Sequence, residues 1–261
     1  MLICKTMKKI RLLIEYDGTA YHGWQLQKDK ITVQGVMEDS VLKVTGERAR
    51  ILGASRTDAG VHALAQVATF RTESRLDAGT IRRAMNAVLP EDIRILDASV
   101  IDDSFNPRDD AVKKRYFYII ANQRITSAFL FRYSWIVPQA LKPDAMEKAA
   151  QVLIGKHNFS SFMGAGSDIK NTVREIYSIN IERLEKIAFM TADINGNFIK
   201  ISIDANGFLR HMVRNIAGTL TEIGRGRIPP ARMAKILESL DRKQAGQTAP
   251  PNGLFLEKIY Y

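Results

Sequence analysis

The 261-residue chain is poorest in cysteine, with Cys4 alone. A single cysteine excludes an internal disulfide framework and any zinc site built from several thiolates. Histidine is nearly as scarce. His22, His62, His157 and His211 share no metal-ligand spacing, and no His-Glu-x-x-His pair occurs. The sequence also lacks a glycine-rich phosphate loop, a dinucleotide fingerprint and a Cys-x-x-Cys pair. The expectation is therefore no metal and no cofactor. No apolar run approaches the roughly 18 residues that a membrane helix requires, so no membrane partner is expected. At the N-terminus, Lys5, Lys8, Lys9 and Arg11 leave no room for the apolar core of a secretory signal. Residues 1–6 are read as an extension, with Met7 an equally good start, and the expected compartment is the cytoplasm.

Acidic charge is in deficit. Lys and Arg total 38 against 28 Asp and Glu, a formal charge of +10 that favours an anionic partner such as nucleic acid. The deficit is confined to one half. Residues 1–110 hold 16 basic and 16 acidic side chains, whereas residues 111–261 hold 22 and 12. The cut falls in the polar stretch Asp102-Asp103-Ser104-Phe105-Asn106-Pro107-Arg108-Asp109-Asp110, which reads as a domain connection. Two domains are expected, 1–110 and 111–261.

Periodicity gives both halves a similar order. In the first, strands are expected over 10–16, 49–54, 65–71 and 93–101. Val33, Val36, Met37, Val41 and Val44 form one helical stripe, and Ile81, Ala84, Met85 and Val88 another, closed by Pro90. In the second, residues 115–121 read as a strand and Pro143 opens a helix with Gly155 at its C-terminal end. Residues 173–183 and 198–205 read as a hairpin around Asn195-Gly196-Asn197. A helix from about Phe208 to Ile223 follows, then another opened by Pro229 and Pro230, and a closing strand over 254–260. The expected fold is α+β: two ferredoxin-like (βαββαβ) halves joined around a mixed, mainly antiparallel sheet with a central active-site cleft.

The segment most loaded with chemistry is GASRTDAGVHALAQVATF, residues 53–70. Arg56 precedes Asp58 by two positions, so in extended backbone both project to one side. Gly60 allows a sharp turn beside the carboxylate. Asp-Ala-Gly is also an ordinary turn sequence, so these residues taken alone leave a turn and a catalytic loop both open.

The wider context resembles one family. Glu15-Tyr16-Asp17-Gly18 with Tyr21-His22-Gly23-Trp24-Gln25 is similar to its first block, and Arg56-Thr57-Asp58-Ala59-Gly60-Val61-His62 to its active-site block. Lys114-Arg115-Tyr116-Phe117-Tyr118 is similar to its tyrosine block. Phe208 to Ile216 is similar to its basic helix, and Thr248-Ala249-Pro250-Pro251 with Gly253-Leu254 to its C-terminal block. Five blocks in order resemble the TruA family of tRNA pseudouridine synthases. One departure is Ser55, where many members have glycine.

The resemblance implies an isomerase that detaches uracil from ribose in tRNA, turns it and rejoins it through C5, with no cofactor. It implies that Asp58 is the catalytic carboxylate and Arg214 its ion-pair partner. Tyr116 stacks on the base, with Tyr118 on the same side of the strand as its rival. Arg56 contacts RNA and fills the gap left by the extruded base. Leu254 lines the pocket and Arg210 contributes to RNA binding. The implied partners are the anticodon stem-loop of tRNA, at three neighbouring uridines, and a second copy of the chain in a homodimer. Two other readings stay open on the residues. A non-enzymatic protein of two RRM-like domains predicts the same basicity and order, although no RNP1 stretch is present. A nucleoside hydrolase would pair Asp17 with Asp58. Residues 160–172, with Lys170, read either as a surface loop or as a mobile RNA contact.

Overall fold

Side-chain alternation starts the chain. In β1 (Lys8–Tyr16) Ile10, Leu12, Ile14 and Tyr16 face inward, the period of a strand with one buried face. The structure, a computed structural model, describes residues 7–166 and 169–261. The reading of residues 1–6 and part of the 160–172 loop lie outside it. The chain divides into two units, one running to Val112 and regaining Leu256–Tyr261, the other Lys113–Phe255.

In the first unit, α1 (Val33–Thr45) starts at Thr32, whose hydroxyl accepts the Gly35 N–H, and buries Val33, Met37 and Val41. Then come β2 (Leu52–Gly53), β3 (His62–Thr72), α2 (Ala78–Val88) and β4 (Ile93–Ile101). The Asp77 carboxylate caps α2 through the Thr80 N–H, and Ile81 and Met85 point into the core. β1 is central, antiparallel to β3 on one side and β4 on the other, and β2 pairs with β3. The register of β1 with β3 shifts between Ile14 and Tyr16, at the end of β1 that leads into the first block. The strand expected over 49–54 shrinks to two residues, because the chain leaves the sheet at Gly53 to enter the Asp58 loop.

The second unit contains β5 (Lys113–Ala121), β6 (Trp135–Ile136), α3 (Pro143–Ala150), β7 (Gly155–Asn158), β8 (Val173–Phe189), β9 (Ala192–Ala205), α4 (Met212–Gly224) and α5 (Arg232–Ser239). β10 (Leu254–Tyr260) begins in this unit and ends in the first. β9 lies between β5 and β8, antiparallel to both; β7 pairs antiparallel with β8 and β6 parallel with β5. The fold is thus mixed α+β. Met212, Ile216, Leu220 and Ile223 of α4 are buried, as are Met146, Leu153, Phe159, Phe162, Met233 and Ile236.

Three expectations need correcting. The hairpin turns at Met190 and Thr191, where Met190 takes a left-handed φ of 54°, and its strands run longer than expected. Asn195-Gly196-Asn197 lies inside β9 at a register shift opposite Leu184 and Lys186. There the Gln123 carboxamide oxygen accepts the Asn197 N–H at 2.8 Å, a partner that periodicity does not show. Gly155 does not end α3. The helix stops at Ala150, a short 3-10 turn follows, and Gly155 opens β7.

One ion cluster ties the second sheet. Arg115 and Asp204 sit opposite each other across β5 and β9. The guanidinium donates twice to the carboxylate, at 2.6 and 2.7 Å, and Lys113 stands 3.5 Å away. The Arg115 hydrogen bonds hold the Asp204 carboxyl below its ordinary range despite the burial that opposes ionisation. A depressed folded pKa stabilises fully above the unfolded value of about 3.9 and loses that contribution as pH falls through the folded value. Asp204→Asn is expected to cost about 1–3 kcal/mol at neutral pH. Denaturant melts should show this deficit shrinking steadily as the pH is lowered below about 4. A deficit independent of pH would remove the ion cluster from the explanation.

Candidate active site

The Asp58 loop is held from beneath by the first block. Ala54 N–H donates to Val67 O at 2.8 Å. The Gln66 carboxamide brackets Ser55, accepting its N–H at 3.1 Å and donating to its carbonyl at 2.7 Å. Thr57 is buried, and its hydroxyl meets the Tyr16 hydroxyl at 2.8 Å. Trp24 N–H donates to Thr57 O, and Gly60 N–H donates to Tyr21 O. The loop closes on itself through Val61 N–H to Asp58 O at 3.1 Å, with Gly60 at φ 76° supplying the left-handed step.

Two glycines of the first block make this approach possible. A Cβ on Gly18 would stand 2.0 Å from Val61 O, and one on Gly23 would stand 2.6 Å from Thr57 O, with Gly23 already at φ 88°. Backbone meets backbone here, so no side chain can give way. Burial along the loop alternates: Arg56 is exposed, Thr57 buried and Asp58 half-buried. Burial pushes the Tyr16 phenol well above its ordinary pKa, against the pull of its hydrogen bonds to Thr57 and Gln66. Tyr16 is therefore a neutral hydrogen-bonding strut at neutral pH. Tyr21 donates to Asp92 at 2.5 Å and is raised in the same way, first by burial and then by Asp92.

Asp17 and His62 have structural occupations. The Asp17 carboxylate accepts both the N–H and the hydroxyl of Thr19, at 2.9 and 2.6 Å, capping the turn Gly18–Ala20. Buried His62 accepts the Gly18 N–H on Nδ1 at 3.0 Å. This engagement of Asp17 weighs against pairing it with Asp58 in a hydrolase.

In the second unit three of the resembling blocks meet. Arg214 Nε donates to Ala249 O at 2.8 Å, while Ala249 N–H donates to Arg214 O at 3.1 Å. Tyr118 donates to Pro250 O at 2.7 Å and is wholly buried. Burial raises its pKa, and the Arg214 charge lowers it in part, so the two side chains sense each other. Tyr116 is also buried and packs edge-on against Phe208, ring centroids 5.1 Å apart. Leu254 is buried where β10 begins.

Arg210 and Arg214 do not share a helix as expected. α4 starts at Met212, after His211 takes a left-handed φ of 59°. Gly164 N–H donates to Arg210 O, and the Arg210 guanidinium donates to Ala165 O and Gly166 O at 2.9 and 3.0 Å. The expected helix is interrupted because residues 208–211 are needed to hold this loop. Sequence reading assigned no role to Tyr16, Gln66 or Gly23. The place of Tyr16 and Gly23 in the first block, and of Gln66 in the 53–70 segment, was the signal, yet only contacts across 40 or so positions of chain reveal that the first block supports the Asp58 loop.

The family model described as tRNA pseudouridine synthase matches residues 12–108 and 149–261. A protein named tRNA pseudouridine synthase A from Thermoanaerobacter sp. (strain X514) is 46% identical over 255 residues, 98% of this chain and 100% of that one. Proteins of the same name from Acetivibrio thermocellus and Thermodesulfovibrio yellowstonii are 43% and 41% identical over the same shares. The chain belongs to the tRNA pseudouridine synthase family, whose members are isomerases. That membership supports the enzymatic reading over a pair of RRM-like binding domains.

If the first block exists to hold the loop, its struts should matter for turnover. Tyr16→Phe is expected to cost about 1 kcal/mol of stability and to lower kcat severalfold, with KM for tRNA nearly unchanged. Melting curves and steady-state kinetics on one preparation check this. A rise confined to KM would place Tyr16 in RNA binding instead.

Proposed function

We propose that this protein converts uridines of the tRNA anticodon stem-loop to pseudouridine through Asp58, without a cofactor. The observation that carries the reading is the Asp58 loop itself: a half-buried carboxylate on a backbone immobilised from both sides, between exposed Arg56 and a left-handed glycine. Preorganisation of this kind is what a reacting carboxylate requires. In the reaction the N1–C1′ bond breaks, the base turns, and a C5–C1′ bond forms. The C5 proton departs and N1 takes up a proton. The carboxylate serves either by attacking C1′ or by acting at C2′, and both routes need it ionised.

The remaining roles follow the resemblance. Arg214 is assigned as the counter-ion of Asp58, Tyr116 as the ring that stacks on the base, and Leu254 as pocket lining. Arg56 takes the gap left by the flipped nucleotide, and Arg210 contacts RNA. Engagement of the Tyr118 hydroxyl by Pro250 supports Tyr116 as the base-facing tyrosine. Arg214, held by Ala249, is likewise positioned rather than loose. The neutral part, residues 1–110, supplies the carboxylate, and the basic part, residues 111–261, supplies most of the attraction for phosphates. The neighbour orders β4-β1-β3-β2 and β5-β9-β8 support two elaborated ferredoxin-like units. The same reading places the enzyme in the cytoplasm as a homodimer. No helix among the described residues is long and apolar enough to cross a membrane.

The test is a transcript tRNA tritiated at uridine C5. Isomerisation releases tritium to water with no loss of base, hydrolysis releases free uracil, and mere binding releases neither. Asp58→Ala should abolish tritium release while tRNA affinity stays within a few-fold, because phosphate contacts lie elsewhere. Retained turnover in this variant would remove Asp58 from the chemistry. Arg214→Ala should lower kcat by at least tenfold, and a fully active Arg214→Ala enzyme would exclude the ion-pair role.

A further inference from the structure

The polar connection after β4 is a built platform. The rings of Phe105 and Tyr261 pack at 4.9 Å, and the Tyr261 hydroxyl donates to Pro107 O at 2.8 Å. Asn106 organises the turn: its side-chain oxygen accepts the Arg108 N–H at 2.9 Å, and its amide nitrogen donates to Asp109 at 2.6 Å. Asp110 accepts the Asn106 N–H at 2.9 Å, and Val112 N–H donates to Tyr260 O. A flexible linker needs none of this. The last residue of the chain and two carboxylates are spent on holding a single turn.

What the turn presents is Arg108. Its backbone is fixed and its side chain half-buried. Its guanidinium has no hydrogen-bond partner among the described residues. Its electrostatic neighbours are Arg56, a like charge two residues from Asp58, and Asp109. Burial, and after it the Arg56 charge, lower the Arg108 pKa, against the pull of Asp109. Two guanidiniums held within each other's field, one of them partly desolvated, repel unless an anion completes them.

We propose that Arg108 and Arg56 together form a binding site for a backbone phosphodiester of the substrate RNA, next to the reacting nucleotide. Arg56 is exposed and, while it fills the gap left by the flipped nucleotide, lends its charge to the flanking phosphate, whereas Arg108 is the fixed member that sets where that phosphate stops. Arg108 is thereby a positioning residue for the strand that carries the target uridine. The planar guanidinium fork suits phosphate oxygens better than an ammonium does. The inference rests on the proposed tRNA activity, and its test separates the two.

Affinity for unmodified transcript tRNA is measured across a salt series for the wild type, Arg108→Gln, Arg108→Lys and Arg56→Gln, with tritium release followed in parallel. Arg108→Gln should weaken binding about tenfold at low salt and reduce the slope of log affinity against log salt by about 0.7–0.9. Arg108→Lys should restore the slope but only part of the rate, because the charge returns without the fork. The melting temperature of free Arg108→Gln should hold or rise, since a repulsion is relieved. It should also lose the wild type's upward shift in inorganic phosphate. An unchanged salt slope in Arg108→Gln, or a fall in its melting temperature by several degrees, would overturn the phosphate site. If wild-type protein releases no tritium, the failure lies with the proposed activity, whatever the slopes show.

Discussion

The first unit depends on one close approach: the backbone of Gly18 and Gly23 lying against the backbone of residues 57–61. No side chain fits between these segments, so their spacing is set by covalent geometry and hydrogen bonds alone. The Trp24 to Thr57 and Gly60 to Tyr21 bonds fasten the two stretches, and the Tyr16 hydroxyl closes the contact below. A loop fastened at this many points pays its ordering entropy when the chain folds, not when substrate arrives. A half-exposed carboxylate held this way has the fixed position that the proposed reaction requires, whereas the same Asp-Ala-Gly in a free surface turn would lack it.

The second unit repeats the logic with side chains in place of glycine. Arg214 and Ala249 exchange reciprocal bonds, Tyr118 reaches Pro250, and Arg210 is committed to the loop at 165–166. Arginines on a basic surface are often solvated and interchangeable. Arg210 and Arg214 are placed, because each is bound to backbone carbonyls that lie far away in the sequence. Arg115 is placed in another way, by a carboxylate facing it across the sheet. The +10 charge of the chain therefore divides into charge that holds the protein together and charge left for an anionic partner. Counting residues cannot make that division.

Periodicity made β1, α1 and α2 legible, because each buries one regular face; β4 buries only Ile93 and Ile95, and α4 is buried nearly all round, so its stripe is only part of what it hides. Where it failed, a long-range partner had overridden a local signal. Asn-Gly is a strong turn dipeptide, yet Gln123 and the β8 register turn it into a bulge within β9. The expected helix start at Phe208 yields to His211, which takes a left-handed conformation so that Arg210 can hold a distant loop. The two-residue β2 was legible as a strand only in type, since its length is cut short by the loop it feeds. The candidate site residues were named by resemblance. Their supports, Tyr16, Gln66 and Ala249, were not, because nothing local marks the partners of hydrogen bonds that span 11 residues at Gln66 and 35 to 41 at Ala249 and Tyr16. Arg108 was hidden for a different reason: a stretch of Asp, Asn, Pro and Ser reads as a linker until Tyr261 is seen packed upon it.

The central claim is that the Asp58 loop is rigid before RNA binds, and native-state amide hydrogen exchange on the free protein addresses it directly. The account predicts that the amides of Trp24, Gly60 and Val61 exchange as slowly as those of the β1–β3 ladder, because their bonds break only when the first unit opens. Exchange of these three amides at the rate of exposed loop residues such as Lys28 and Lys30 would contradict it, and would mean that the loop is ordered only by its substrate.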